Sequence, residues 1–96
     1  MELRASNILC HEILGLRARV EDYPDPSFVG AEGRVTWETE RSVEIELPGG
    51  RVKLLKVGLT LALLVRGEWI KVKGESLGNP VERAKKIMWG ECSARA

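Results

Sequence analysis

Ser42-Val43-Glu44-Ile45-Glu46-Leu47-Pro48-Gly49-Gly50-Arg51 decides the architecture of this chain. Val43, Ile45 and Leu47 alternate with Ser42, Glu44 and Glu46, the period of two that sends successive side chains to opposite faces of a half-buried strand. Pro48-Gly49-Gly50 follows as a turn, because glycine tolerates the positive φ that a tight hairpin demands. The alternation continues in both directions. Upstream, Leu16, Ala18 and Val20 alternate with Arg17, Arg19 and Glu21. Tyr23-Pro24-Asp25-Pro26-Ser27 then interrupts as a loop, since each proline removes an amide donor. Gly30 and Gly33 flank the entry to a strand over about 34–38. Downstream, strands are predicted over 51–57, 59–65 and 69–73, with Leu54-Leu55 breaking the alternation at a bulge. The 59–65 segment is apolar on both faces and is therefore either central or covered. Five or six short strands joined by tight turns predict a mainly β protein, a small antiparallel barrel whose closure removes exposed edges.

Short helices flank these strands. Ser6 can cap a helix running to about Glu12, with Gly15 as its stop and Ile8, Leu9 and Ile13 on its apolar side. At the other end Asn79 is a cap, Pro80 the first helical residue and Glu82 the partner in a capping box. Val81, Ala84, Ile87 and Met88 form the apolar stripe of that helix, leaving Arg83, Lys85 and Lys86 outward. The chain is expected to be one domain over 1–96 with an ordered core at about 6–89.

Composition narrows the function. With 44% apolar and 30% charged residues the chain suits a soluble globule, and no apolar run approaches the roughly 20 residues of a membrane span. The start of the chain lacks a basic-then-apolar leader, so an intracellular, cytoplasmic protein is expected. Cys10 and Cys92 belong to no CxxC pair and read as free thiols. No glutamine, two asparagines and nine arginines to six lysines point to a thermophilic source. A net charge of +1 argues against tight non-specific binding to nucleic acid, so only the placement of basic residues could make a binding face.

Catalysis by the chain alone finds no support. His11 is the sole histidine. His11-Glu12 matches the start of the zinc-protease HExxH motif, but Gly15 stands where the second histidine belongs, and Cys10, His11 and Cys92 lack zinc-ligand spacing. There is no nucleophile elbow and no glycine-rich phosphate loop before a helix. No metal or cofactor is therefore expected on this chain. An RNA-binding reading has more material. Trp69, Lys71 and Lys73 share one strand face, where a ring could stack a base while the ammonium groups meet phosphate. The same pattern fits a tryptophan capping the core beside a solvated lysine face. Arg17 and Arg19 pose the same choice. The Arg83, Lys85 and Lys86 flank suits phosphate and equally complements the helix dipole. Ile8, Leu9, Ile13 and Leu14 are more apolar surface than one short helix usually buries, which suits either a partner or the core. The Gly30/Gly33 pair also resembles the glycine–strand signature of KOW-type ribosomal and transcription-associated barrels.

Three signatures in fixed order carry a more specific resemblance. Asn7-Ile8-Leu9 leads into His11-Glu12-Ile13-Leu14-Gly15-Leu16, then come Gly30, Gly33 and Val35 with Glu38-Thr39, then Gly78, Pro80, Arg83, Lys85 and Lys86. Over about 7–87 the chain resembles the archaeal ribonuclease P protein component 1 family, and Lys56 also sits where that family tends to carry a lysine. The resemblance implies an Sm-like barrel flanked by short helices. It implies a non-catalytic RNA-binding subunit of the ribonucleoprotein that cleaves precursor tRNA to give the mature 5′ end. Its partners would be the ribonuclease P RNA, the zinc-ribbon protein subunit and other ribonuclease P proteins, with precursor tRNA contacted indirectly and Mg²⁺ held mainly by the RNA. The zinc-ribbon subunit would meet Ile8, Leu9, His11, Glu12, Ile13 and Leu14. The RNA would meet Arg17, Arg19, Arg34, Lys56, Trp69, Lys71, Lys73, Arg83, Lys85 and Lys86. Cys10, Trp37 and the short basic tails depart from the family pattern. Another RNA-binding barrel of ribosomal, KOW or Sm type, or a protein–protein adaptor, are the alternatives.

Overall fold

The computed structural model describes the backbone of residues 12–88 and the side chains of residues 12–85. The helix expected from Ser6, both cysteines and His11 lie outside the described residues. Six strands follow one another: β1 (Arg17–Asp22), β2 (Glu32–Glu38), β3 (Ser42–Leu47), β4 (Gly50–Leu55), β5 (Thr60–Val65) and β6 (Glu68–Lys73). Among the described residues two α-helices follow β6, α1 (Gly74–Leu77) and α2 (Pro80–Met88). The fold is mainly β, as the alternation predicts.

All six strands form one antiparallel sheet in the order β4-β3-β2-β1-β5-β6. Leu54 from one end strand and Ile70 and Val72 from the other belong to the same buried cluster as Val20, Val35, Ile45 and Leu63. The sheet must therefore curl around that cluster. It does not close into a hydrogen-bonded cylinder, however: β4 and β6 remain its two edge strands. The Tyr23 hydroxyl accepts the Leu55 amide at 3.1 Å. The Gly74 amide donates to the Leu59 carbonyl at 2.7 Å, and the Glu75 carboxylate accepts the Gly58 amide at 3.1 Å. Of these only the Tyr23 bond satisfies a group of an edge strand, Leu55 of β4; the other two prolong the β5–β6 hairpin into α1.

The irregular points differ from expectation. β4 pairs with β3 in unbroken register from Leu47↔Gly50 to Ser42↔Leu55, so Leu54 points into the core and Leu55 out of it without a bulge. The register shifts fall instead between Val20 and Asp22 in β1 and between Val35 and Trp37 in β2. β5 is apolar on both faces because it lies between β1 and β6 and its outward residues are covered from both sides. Trp37, one of the departures from the family pattern, is exposed.

The Gly30/Gly33 pair has two separate causes. Gly30 adopts φ +90° in the β1–β2 connection, where a side chain would be strained. Gly33 lies under β3, and an added Cβ would collide with the Glu46 carbonyl oxygen and come 2.8 Å from its carbon.

One pH effect follows from α1. The Gly58 amide, and then the amide of Glu75 itself, hold the Glu75 carboxyl below its ordinary pKa. A carboxyl whose pKa is lowered by folding contributes stability above its unfolded value, about 4.3, and loses it as the pH falls through the folded value. The stability deficit of Glu75→Gln, read by urea unfolding, is expected at pH 7 and should close as the pH is taken below about 4.

Candidate nucleic-acid interface

The core takes Ala18, Val20, Ile70 and Val72, so the pleat sends their neighbours outward. Register then places these neighbours in rows across the sheet. Arg17 pairs with Arg34 on β2 and Leu64 on β5, and Leu64 pairs with Trp69 on β6. Arg19 pairs with Glu32 and Ala62, and Ala62 pairs with Lys71. Thr60 pairs with Lys73. Arg17, Arg19, Trp69, Lys71 and Lys73 are therefore brought onto one face by three adjacent strands, with Arg34 at its border.

Within this face Arg17, Arg19, Arg34, Trp69 and Lys71 are already engaged. The Arg19 guanidinium carbon lies 4.4 Å from the centroid of the Trp69 ring, a cation–π contact that fixes the plane of the guanidinium. Arg19 Nε donates to Glu21 at 2.6 Å, and Lys71 Nζ lies 3.6 Å from the other oxygen of the same carboxylate. The hydrogen bond from Arg19, assisted by the charges of Arg19 and Lys71, holds the Glu21 carboxyl below its usual pKa against partial desolvation. Arg17 Nε donates to Glu32 at 2.7 Å, and Arg34 donates to the Gly15 carbonyl at 2.7 Å. Trp69 is thus neither a core cap nor a free stacking platform, because Arg19 covers one side of its ring.

Two expected phosphate contacts lie elsewhere. Lys56 and Arg83 are only 3% and 5% exposed, and both converge on Glu38. Lys56 Nζ donates to Glu38 Oε2 at 2.7 Å and to the Gly78 carbonyl at 2.6 Å. Arg83 donates to Glu38 through Nη1 at 3.1 Å and again through Nη2, and gives Nη1 also to the Leu77 carbonyl at 2.7 Å. The cluster ties α2 and the end of α1 to β2 and to the residue following β4. Glu38 and two carbonyls take up these donors inside the protein, so neither residue can face RNA. The helix flank is reduced to Lys85, which is exposed and 3.8 Å from Glu82; the side chain of Lys86 lies outside the described residues. Glu82 faces Lys85, while Asn79 caps the helix through the Val81 amide at 2.8 Å.

The expected partner surface also divides. Ile13 is wholly buried in the core, so it cannot be offered to another protein. Glu12 and Leu14 are exposed, and Ile8, Leu9 and His11 lie outside the described residues. Among the described residues no group of three or more His, Cys, Asp or Glu could hold a metal ion, and no helix is long and apolar enough to cross a membrane. The residues sequence reasoning missed are Glu21 and Glu38. The donors that converge on their carboxylates come together only once the chain is folded.

A curled six-stranded antiparallel sheet, clasped at one end by two short helices and carrying arginines, lysines and a tryptophan on its outer face, defines a small mainly β domain with a basic-aromatic face. A solved structure, that of Mth11, described as a homologue of human RNase P protein Rpp29, shares this fold. It matches with TM-score 0.57 and 28% identity over 76% of this chain and 97% of its own. The family described as Ribonuclease P/MRP, subunit p29, matches residues 6–86. The ribonuclease P protein component 1 of Desulfurococcus amylolyticus is 40% identical over 90 residues, 91% of this chain and 98% of that one. Its counterpart in Hyperthermus butylicus is 41% identical over 90 residues, 91% of this chain and 81% of that one. The chain belongs to the ribonuclease P/MRP subunit p29 family.

Proposed function

We propose that this chain is a non-catalytic, RNA-contacting protein subunit of an archaeal ribonuclease P, the ribonucleoprotein that cleaves precursor tRNA to leave the mature 5′ end. Family membership supports the complex. The observation that supports the RNA face is the Arg19–Trp69 stack flanked by Lys71 and Lys73 on the outer side of β1, β5 and β6. Basic side chains on β1 and β6, either side of β5, can follow a phosphate backbone and position it, and the exposed part of Trp69 leaves a base some surface to meet. Arg17, Arg34 and Lys85 extend this surface. Lys56 and Arg83 shape the protein and leave phosphate to the others. Catalysis, with its Mg²⁺, resides in the RNA. The zinc-ribbon subunit docks on the N-terminal stretch through Ile8, Leu9, His11, Glu12 and the exposed Leu14, in the cytoplasm.

The test is binding of the full chain to its own in vitro transcribed ribonuclease P RNA across a salt series. Lys71→Glu/Lys73→Glu is expected to weaken binding at least about tenfold and to flatten the log–log salt slope by about 1.5, the loss of two phosphate contacts. The same reversal at Lys85 and Lys86 tests the helix flank. Unchanged affinity and slope in both variants would mean that the chain serves as a protein–protein adaptor without RNA contact.

A further inference from the structure

Ala62 points away from the core, yet it is only 1% exposed, because side chains from the strands on either side fold over it. Its backbone partners are Arg19 on β1 and Lys71 on β6, so a single methyl group floors the space between two cations. Glu21 closes that space from above. It stands at the β1 register shift between Val20 and Asp22, the extra residue of a bulge, and bulges re-aim side chains. One oxygen of its carboxylate accepts Arg19 Nε at 2.6 Å and the other faces Lys71 Nζ at 3.6 Å.

Neither cation needs this carboxylate to be solvated: the Lys71 side chain is 72% exposed and that of Arg19 35%. The arrangement is also prepared in advance. Trp69 holds the guanidinium plane, and a planar guanidinium fork beside an ammonium group matches the oxygens of a phosphate as well as those of a carboxylate. Arg17 and Lys73 lie on the same face, so a backbone passing over Ala62 would meet cations before and after it.

We propose that Arg19 and Lys71 form a phosphate seat over Ala62, and that the Glu21 carboxylate occupies it as an internal stand-in that a backbone phosphate of the bound RNA displaces. The inference rests on the proposed RNA face. Glu21 then acts as a threshold on that face. A phosphate that arrives alone must compete with a tethered carboxylate, whereas an RNA held also by neighbouring contacts displaces it. The step is an exchange of hydrogen-bond acceptors, with no covalent change.

The experiment compares Glu21→Gln with Glu46→Gln, an equal change in charge on the same face but on β3, near Arg51. Glutamine keeps the size of the side chain and can still accept from Arg19, so the fold is expected to hold; thermal melting checks this. Glu21→Gln should tighten binding to the ribonuclease P RNA about tenfold, the scale of one charge-assisted hydrogen bond, and Glu46→Gln by less than about twofold, its site lying away from the seat. In a Lys71→Ala background the gain from Glu21→Gln should shrink to that of the control. Equal tightening by Glu21→Gln and Glu46→Gln, while Lys71→Glu/Lys73→Glu still weakens binding, overturns the seat and leaves the RNA face intact. If Lys71→Glu/Lys73→Glu leaves binding unchanged, the RNA face itself fails and the seat with it.

Discussion

Replacing Glu38 by glutamine is expected to destabilise the domain by about 3–5 kcal/mol, the cost of leaving buried charges without their counter-ion. Glu38 is the single anion between Lys56 and Arg83, and the three side chains are between 2% and 5% exposed. Its loss leaves two cations facing each other away from water. Removing a cation is a smaller injury. Lys56→Met leaves Glu38 with Arg83, a neutral pair joined through both terminal guanidinium nitrogens, and should cost about 1–2 kcal/mol by this logic. A chain of this size is stable by only about 5–14 kcal/mol, so Glu38→Gln removes a large share of the total. Urea unfolding ranks the two variants. Equal losses would mean that the cluster acts through packing rather than charge. The same pair of measurements bears on function, because Arg83 also binds the Leu77 carbonyl and Lys56 the Gly78 carbonyl. These are carbonyls at the end of α1, where a helix leaves acceptors unsatisfied. Without Glu38 the tie between α2 and β2 is lost, and Lys85 on α2 loses that anchor while the two carbonyl bonds remain.

This cluster marks where local reading stops. The strands are legible because apolar and polar residues alternate with the pleat, and α2 because Asn79 and Pro80 announce its first turn. Arg83 is not legible. A helical stripe through Val81 and Ala84 predicts that it points outward, yet Val81 and Ala84 are exposed and Arg83 is inside. The inward side of α2 is set by Glu38, 45 residues away in sequence, and no periodicity within the helix carries that information. Lys56 is misread for the same reason. The basic-aromatic face divides along the same line. Trp69, Lys71 and Lys73 share a face by alternation alone. That Arg19 lies on Trp69, and that Glu21 spans Arg19 and Lys71, depends on β1 and β6 flanking β5, a non-sequential pairing. The bulge at Glu21 is equally silent, since a bulge adds one residue without disturbing the composition around it. The doublet Leu54-Leu55 offered a false signal, because one leucine of an edge strand can face outward at little cost.

Gly33→Ala is expected to destabilise the domain by at least about 3 kcal/mol, at or beyond the upper end of ordinary overpacking. Most small-to-large changes meet a side chain that can rotate away. Here the obstacle is backbone: the new Cβ would overlap the Glu46 carbonyl oxygen, with the Glu46 carbonyl carbon at 2.8 Å and a methyl of Ile45 at 3.1 Å. Relief requires β3 to move off β2 just beside the Arg34↔Glu46 pair. That would pull Ile45 from the core and break its pairing with Val35 as well as that of Glu46 with Arg34. For a domain of 60–100 residues a loss of this size lowers the melting temperature by about 10 °C or more. Gly49→Ala is the control. It sits in the β3–β4 turn with open space where its Cβ would go and a φ outside the left-handed region, so it should change stability by less than about 1 kcal/mol and in the stabilising direction. A Gly33→Ala variant that melts with the wild type would mean that β3 can shift freely against β2. The second glycine of the Gly30/Gly33 pair would then have to be explained by something other than the close approach of these two strands. If the loss is as large as expected, the glycine that helped to signal the family is there because β2 and β3 cross too closely for any side chain, and its place in the signature is a consequence of packing.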